Sequence, residues 1–216
     1  MAHEAAARSV SGRSGRILAT VAAIAVLVGL MALDTTVVEI GSEDAAGEAG
    51  FDPESYGQEQ FPQIRESVAA RAVEAPRLAE AVLADQTAAG AEYGVGEGFG
   101  PVVPVSFTGT VGDGSSGIYT VAVEEVPEEI EIRVQTGPAI NGTDLRDATG
   151  EIQFGQFTNQ IEYQNAGAAI NEAMKAQVLQ GIDTGSLTGR TVSVTGVFKL
   201  INPKNWLVTP VEMSVR

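Results

Sequence analysis

The stretch that decides the fold is residues 103–111, with the sequence VPVSFTGTV. Apolar or small residues fall on every second position, and Pro104, Ser106, Thr108 and Thr110 lie between them. Successive side chains of a strand point to opposite faces, so a period of two is typical of a half-buried β-strand. This stretch therefore predicts the first strand of a sheet.

The chain after this strand continues the pattern. Turn-forming residues at 112–117 lead into a second strand, and a third strand places Ile130, Ile132 and Val134 on one face. The later elements are predicted at 118–124, 130–134, 190–200 and 206–215 for strands and at 159–182 for a helix. Three strands, a helix and two strands is the order of an OB barrel, and a generic small α+β sheet is the alternative.

The chain before this strand is predicted to be helical. Residues 51–94 are rich in alanine and carry apolar residues at three- and four-residue steps, which indicates two packed helices separated at Pro76. The glycine-rich residues 94–101 then read as a linker. The predicted organisation is an α+β protein with a small helical domain at 51–94 and an OB-like α/β domain at 101–216.

An apolar run at residues 17–33 follows Arg8, Arg13 and Arg16. Seventeen residues form a helix of about 26 Å, the short end of what crosses a membrane. We expect an uncleaved transmembrane signal anchor at 17–33, with a basic cytoplasmic tail at 1–16 and an acidic stalk at 34–50. A cleaved signal peptide is the alternative, although Leu30-Met31-Ala32 is a poor cleavage site. The protein is thus expected in the cell membrane as a single-pass chain with its C-terminal domain extracytoplasmic.

The charge of the chain is distributed unevenly. Residues 1–33 hold three Arg and one Glu of the chain's 13 basic and 28 acidic residues, so the remainder carries 10 and 27, a net charge of −17. Such a surface repels phosphate backbones. Glu131, Arg133 and Gln135, the expected outward residues of the third strand, also offer no aromatic platform for bases. Nucleic acid is therefore not an expected partner.

The chain has no cysteine, and its one histidine is His3. The expected extracytoplasmic part therefore lacks an imidazole base, a thiol and the usual zinc ligands. We expect no metal site, no cofactor and no enzymatic activity.

Five polar side chains lie within seven residues of the segment that joins the third strand to the long helix: Asn141, Thr143, Asp144, Arg146 and Asp147. Carboxylates, an amide and a guanidinium can bracket vicinal sugar hydroxyls. The alternative is structural: Asn141-Gly142 turns the chain, and Arg146 pairs with an Asp to fix the loop.

Three further positions are candidate contacts for a ligand or partner. Asn159 and Gln160 begin the helix, where N-capping by Thr158 or Asn159 is favoured over contact with a ligand. Trp206, beside the loop between the last two strands, is a candidate to stack on a sugar ring. A hydrolase acting on envelope carbohydrate through Asp144, Asp147 and Glu162 is the alternative function.

The stretches GPAINGTDLRDA at 137–148 and FGQFTNQIEY at 154–163 resemble the signature of a bacterial family known as domain of unknown function 2291. TVVEI at 36–40, the start at 51–56, GVF at 196–198 and NPKNW at 202–206 extend the resemblance over most of residues 35–216. In one place the chain departs from the family pattern, because Thr35 stands where the lipoprotein cysteine is expected.

The resemblance implies predicted periplasmic lipoproteins, in which a small helical domain is joined to an OB-like domain. It also implies genes next to those of ribose-type sugar ABC transporters. On that basis we expect an anchored accessory or binding protein that contacts a sugar ABC transporter, its solute-binding protein or a small sugar.

Overall fold

The computed structural model describes residues 50–96 and 100–216. The predicted tail, the predicted anchor at 17–33 and all of the predicted stalk except Gly50 lie outside the described residues. Within the described ranges, no helix combines the length and the apolar character that crossing a membrane requires.

The described chain begins with three helices. Helix α1 (Pro53–Arg71) starts at Asp52, whose side chain accepts a hydrogen bond from the Glu54 amide at 3.1 Å. Helices α2 (Ala75–Ala84) and α3 (Gln86–Tyr93) follow. The two-residue strand β1 (Val73–Glu74) separates α1 from α2.

The prediction of two helices broken at Pro76 is wrong in its details. Helix α1 ends at Arg71, where the chain becomes extended, and Pro76 lies in the first turn of α2, where a missing amide hydrogen costs nothing. A third helix arises because the Asp85 side chain accepts hydrogen bonds from Thr87 and Ala88 amides at 2.9 and 3.0 Å. This capping interaction ends one helix and begins the next.

The strands form a closed barrel. They are β2 (Val102–Ser115), β3 (Ile118–Val123), β4 (Glu131–Gln135), β5 (Thr191–Lys199) and β6 (Asn205–Val215). Their spatial order is β2-β3-β4-β6-β5, and β5 pairs back with β2 to complete the ring. β4 and β6 are parallel, and the other pairs within the ring are antiparallel. β1 adds to β2 in parallel.

The connection between β4 and β5 carries the remaining helices. Short helix α4 (Asp144–Asp147) and a 3₁₀ turn (Phe154–Gln156) precede helix α5 (Gln160–Met174), which continues as a π-helical turn (Lys175–Leu179). A helix between the third and fourth barrel strands agrees with the predicted OB order.

Two apolar clusters hold these elements together. One fills the barrel and includes Phe107, Phe198 and Trp206, together with Leu78 of α2. The other lies between α1, α5 and the segment before α5, and includes Phe61, Ile170 and Leu145. Residues Phe51–Arg216 form one compact unit. The division into a helical domain at 51–94 and an OB-like domain at 101–216 stays a prediction.

One side chain of the third barrel strand does not lie where the sequence places it. Gln135 is buried instead of facing outward, and its side-chain amide donates a hydrogen bond to the Thr209 hydroxyl of β6 at 2.9 Å. The hydrogen bond compensates for removing the amide from water.

Candidate functional site

Arg146 lies at the centre of the polar segment and is 8 % exposed. Its Nε donates to Asp147 Oδ1 at 2.8 Å, and a second guanidinium nitrogen lies 3.4 Å from the Tyr163 carbonyl oxygen. The guanidinium carbon lies 3.7 Å from the centroid of the Tyr163 ring, within cation–π range. Arg146 therefore ties α4 to the first turn of α5, as the structural interpretation of this segment expects.

Asp147 is held by three neighbours. Its second carboxylate oxygen accepts a hydrogen bond from the Thr143 hydroxyl at 2.8 Å and lies 3.6 Å from Nζ of Lys199, on β5. With Arg146 on the other oxygen, the carboxylate is paired on both sides. Lys199 was not among the residues singled out from the sequence, because it lies about 50 residues after Asp147 and only the fold brings the two together.

The loop before α4 is fixed by Asn171 of helix α5, which the sequence reasoning also missed. Its buried side-chain amide donates to the carbonyl oxygens of Ile140 and Gly142 at 3.1 and 2.8 Å. A single asparagine thus satisfies two carbonyls of the turn, and burial makes that arrangement costly to break.

Asp144 is half-buried beside this network. Burial raises the pKa of its carboxyl, Lys199 lowers it in part, and the negative charge of Asp147 raises it further. The first effect is the largest, because taking a carboxylate out of water disfavours its charged form.

The other polar candidates are exposed. Asn141, Asn159 and Gln160 all face solvent. Asn159 caps α5 by accepting the Glu162 amide at 3.0 Å, while the Glu162 carboxylate accepts the Thr158 amide at 2.8 Å. The capping explanation of Asn159 is confirmed, and Glu162 has a structural partner of its own.

The prediction that Trp206 stacks on a sugar is wrong for this structure. Its side chain is fully buried, and one ring face stacks on Phe198 with centroids 4.7 Å apart. The indole N–H donates to the Pro203 carbonyl oxygen at 2.9 Å. Trp206 belongs to the core because it lies at the start of β6, where its position on the strand points into the barrel.

Two large apolar side chains close in sequence to the polar segment are exposed and were missed. Phe154 is 52 % exposed and Ile161 is 70 % exposed. Phe154 is part of an aromatic cluster whose neighbouring ring centroids lie 5.3–5.7 Å apart; its members are Phe51, Tyr56, Phe154, Phe157 and Tyr163. The signal in the sequence was the spacing of aromatic residues in FGQFTNQIEY, which fits neither a period of two nor one of 3.6.

Residues 50–96 and 100–216 contain no group of three His, Cys, Asp or Glu side chains placed to hold a metal ion. The polar segment is a network of paired charges and capped loops, bordered by an aromatic cluster of which Phe154 is exposed.

Comparison with solved structures identifies this architecture as an OB fold. A search of solved structures finds an OB-fold protein from Thermotoga maritima, which is 17 % identical with a TM-score of 0.61. The match covers 77 % of this chain and 99 % of that chain. At this identity the likeness shows the fold alone, and it agrees with the strand order of the barrel.

The family model described as "Predicted periplasmic lipoprotein", domain of unknown function 2291, matches residues 22–214. The chain belongs to this family, which confirms the resemblance seen in the sequence. Within its 216 residues the chain has no cysteine to carry a lipid. No curated protein matches it.

Proposed function

We propose that this protein is an extracytoplasmic, non-enzymatic binding module, held at the membrane by residues 17–33, that docks a protein partner through Phe154 and Ile161. The observation that carries the proposal is the exposure of these two large apolar side chains, 52 % and 70 %. Aromatic and aliphatic side chains that are exposed in the free protein are typical anchors of protein interfaces.

The packing of the Phe154 ring against Tyr163 is a second observation in favour of docking. The Phe154 ring meets that of Tyr163 edge to face at 5.6 Å, and the Arg146 guanidinium lies over Tyr163. Arg146 is in turn paired with Asp147. Because these contacts already restrict the Phe154 side chain, it loses little conformational entropy when it binds a partner. More of its contact energy therefore contributes to affinity.

The proposed partner is a ribose-type sugar ABC transporter or its solute-binding protein. Support for this choice comes only from what the resemblance to the family implies, namely genes next to those of such transporters. A small sugar would be recognised by the exposed amides of Asn141 and Gln160 rather than by the buried Arg146 or Trp206.

A hydrolase of envelope carbohydrate is the second candidate, because the raised pKa of Asp144 is a property that a general acid needs. Asp147 and Glu162, however, already accept hydrogen bonds from Thr143, Arg146 and the Thr158 amide. Turnover of a glycoside by the full chain, abolished by Asp147→Asn in a folded protein, would favour the hydrolase over the binding module.

The docking proposal is tested by site-specific crosslinking in cells. A photoreactive amino acid is placed at position 161, or at position 201 as a matched control, since Ile201 is also an exposed isoleucine at 65 % but lies between β5 and β6. We expect the solute-binding protein or a transporter subunit to be crosslinked from position 161 and not from position 201. Equal crosslinking from both positions, or none from 161, would contradict the proposal.

A further inference from the structure

A second surface of the barrel, away from the aromatic cluster, is an open groove with a volume of about 830 Å³ on the outer face of β2, β5 and β6. Its size lies within the usual range of small-molecule sites. Six hydroxyl side chains line its floor: Ser106, Thr108 and Thr110 of β2 and Thr191, Ser193 and Thr195 of β5. Apolar residues, among them Pro76, Ala122 and Met213, line the rest of it.

The strand register orders these hydroxyls into rows. Thr108 is opposite Ser193, which is opposite Ser214 of β6. Thr110 pairs with Thr191, and Ser106 pairs with Thr195. Rows on one face of a sheet repeat about every 6.6 Å along a strand and about every 4.8 Å across strands. The Thr108 and Ser193 hydroxyls also bond to each other at 2.8 Å, which holds the centre of the array.

Two irregular features of the strands lie beside the groove. Gly109 allows β3 to approach β2 so closely that a Cβ there would lie 2.4 Å from the Ala122 carbonyl oxygen. The pairing of β5 with β6 shifts register between Thr195 and Gly196, which adds a local bend.

Three exposed carboxylates border the groove: Glu74 of β1, Glu124 after β3 and Glu212 of β6. Neither Lys nor Arg is among the described residues that line it. This composition disfavours phosphates, sulfates and nucleic acids. Hydroxyls both donate and accept hydrogen bonds, and carboxylates accept them strongly, so the lining complements a ligand rich in neutral hydroxyl groups.

We propose that this groove is a binding site for a neutral carbohydrate chain, with the Ser/Thr rows and Glu212 as its contacts. The site is separate from the loops at 112–117 and 201–206, which flank the usual OB binding face. It goes beyond the proposed docking function, because it requires neither Phe154 nor Ile161.

The test is a calorimetric titration of the full chain with maltotriose, cellotriose, xylotriose and chitotriose. A detergent without a sugar head group prevents competition for the groove. Saturable binding of at least one trisaccharide is expected, and Thr108→Val combined with Glu212→Gln should weaken it about tenfold or more. Glu128→Gln, with the same charge change on an exposed loop residue outside the groove, should leave the affinity unchanged.

Unchanged melting temperatures show that the variants remain folded. The proposal is overturned if none of the four trisaccharides binds, or if the double variant binds as tightly as the unaltered chain. It is also overturned if pentalysine binds in their place and loses affinity in Glu212→Gln, since the groove would then be an acidic site for basic peptides. Crosslinking at position 161 does not depend on this groove, so the two proposals fail separately.

Discussion

Arg146 joins two elements through one buried side chain, and its removal tests whether the polar segment is structural. Arg146→Ala leaves Asp147 with Thr143 and Lys199 only, and it removes the guanidinium from the Tyr163 ring. Breaking a buried ion pair from one side costs about 3–5 kcal/mol, and the remaining partners of Asp147 favour the lower end. We expect a loss of about 3 kcal/mol in the free energy of unfolding, measured by urea denaturation.

Arg77→Ala is the matched control. The Arg77 guanidinium also lies over a tyrosine ring, that of Tyr93, but at 6.0 Å and on an exposed side chain. Its loss should change stability by less than about 1 kcal/mol. Equal effects of the two substitutions would show that Arg146 does not fix the loop.

Asp144 makes stability depend on pH in a direction opposite to that of most carboxyl groups. Burial raises its folded pKa above the ordinary value of 3.8, so the folded state binds the proton more tightly than the unfolded state does. Its contribution is therefore fully present below pH 3.8 and is lost as the pH rises through the folded pKa. At neutral pH the charged carboxylate is destabilising.

Asp144→Asn should accordingly raise the melting temperature at pH 7. The difference from the unaltered chain should shrink as the pH falls towards 3.8. Thermal unfolding followed by circular dichroism at several pH values measures both effects. A lower melting temperature for Asp144→Asn at pH 7 would mean that the attraction of Lys199 for the charged form outweighs burial.

At the scale of elements, helices α1 and α5 approach closely at Gly57. A Cβ at this position would lie 2.4 Å from the Ala169 carbonyl oxygen, and backbone cannot move aside as a flexible side chain can. Gly57→Ala should therefore destabilise the protein by about 1–3 kcal/mol or more. Gly167→Ala in α5 is the control, because its Cβ would meet Arg146 Cδ at an ordinary 3.7 Å.

Gly167→Ala should be neutral or stabilising by up to about 1 kcal/mol, since alanine favours a helix more than glycine does. Urea denaturation of both variants measures the contrast. If Gly57→Ala were as stable as Gly167→Ala, the two helices would not pack as closely as described.

The strands were predictable from sequence because burial on one face imposes a period of two on side chains. Residues 190–200 and 206–215 were placed within a residue or two of β5 and β6. The helices were less predictable because their ends depend on single caps such as Asp85. The same period places Trp206 on the inner face of β6 with Val208, so its burial was within reach of the sequence, while its stacking partner Phe198 comes from the neighbouring strand.

In the candidate site too, contacts between residues close in sequence were predictable and contacts made by the tertiary fold were not. The pairing of Arg146 with an Asp was one of two interpretations open from local spacing, whereas Lys199 and Asn171 reach the segment through the tertiary fold. Exposure of Phe154 and Ile161 is likewise a property of the folded surface. Some apolar residues of a protein are buried in the core and others are exposed, and the sequence alone does not show which are exposed.

At the scale of the whole molecule, a partly buried network of paired charges around Arg146 is distinct from the exposed side chains of Phe154 and Ile161, through which we propose that the protein binds a partner. The direct test is the equilibrium affinity of the purified solute-binding protein for the full chain, for Phe154→Ser combined with Ile161→Ser, and for Ile201→Ser. Melting temperatures of the three proteins should agree, because all three side chains are largely outside the core.

We expect the double substitution at 154 and 161 to weaken this affinity at least about tenfold, which corresponds to about 1.4 kcal/mol, while Ile201→Ser leaves it unchanged. An affinity that survives the double substitution, or that falls equally in Ile201→Ser, would contradict the docking proposal.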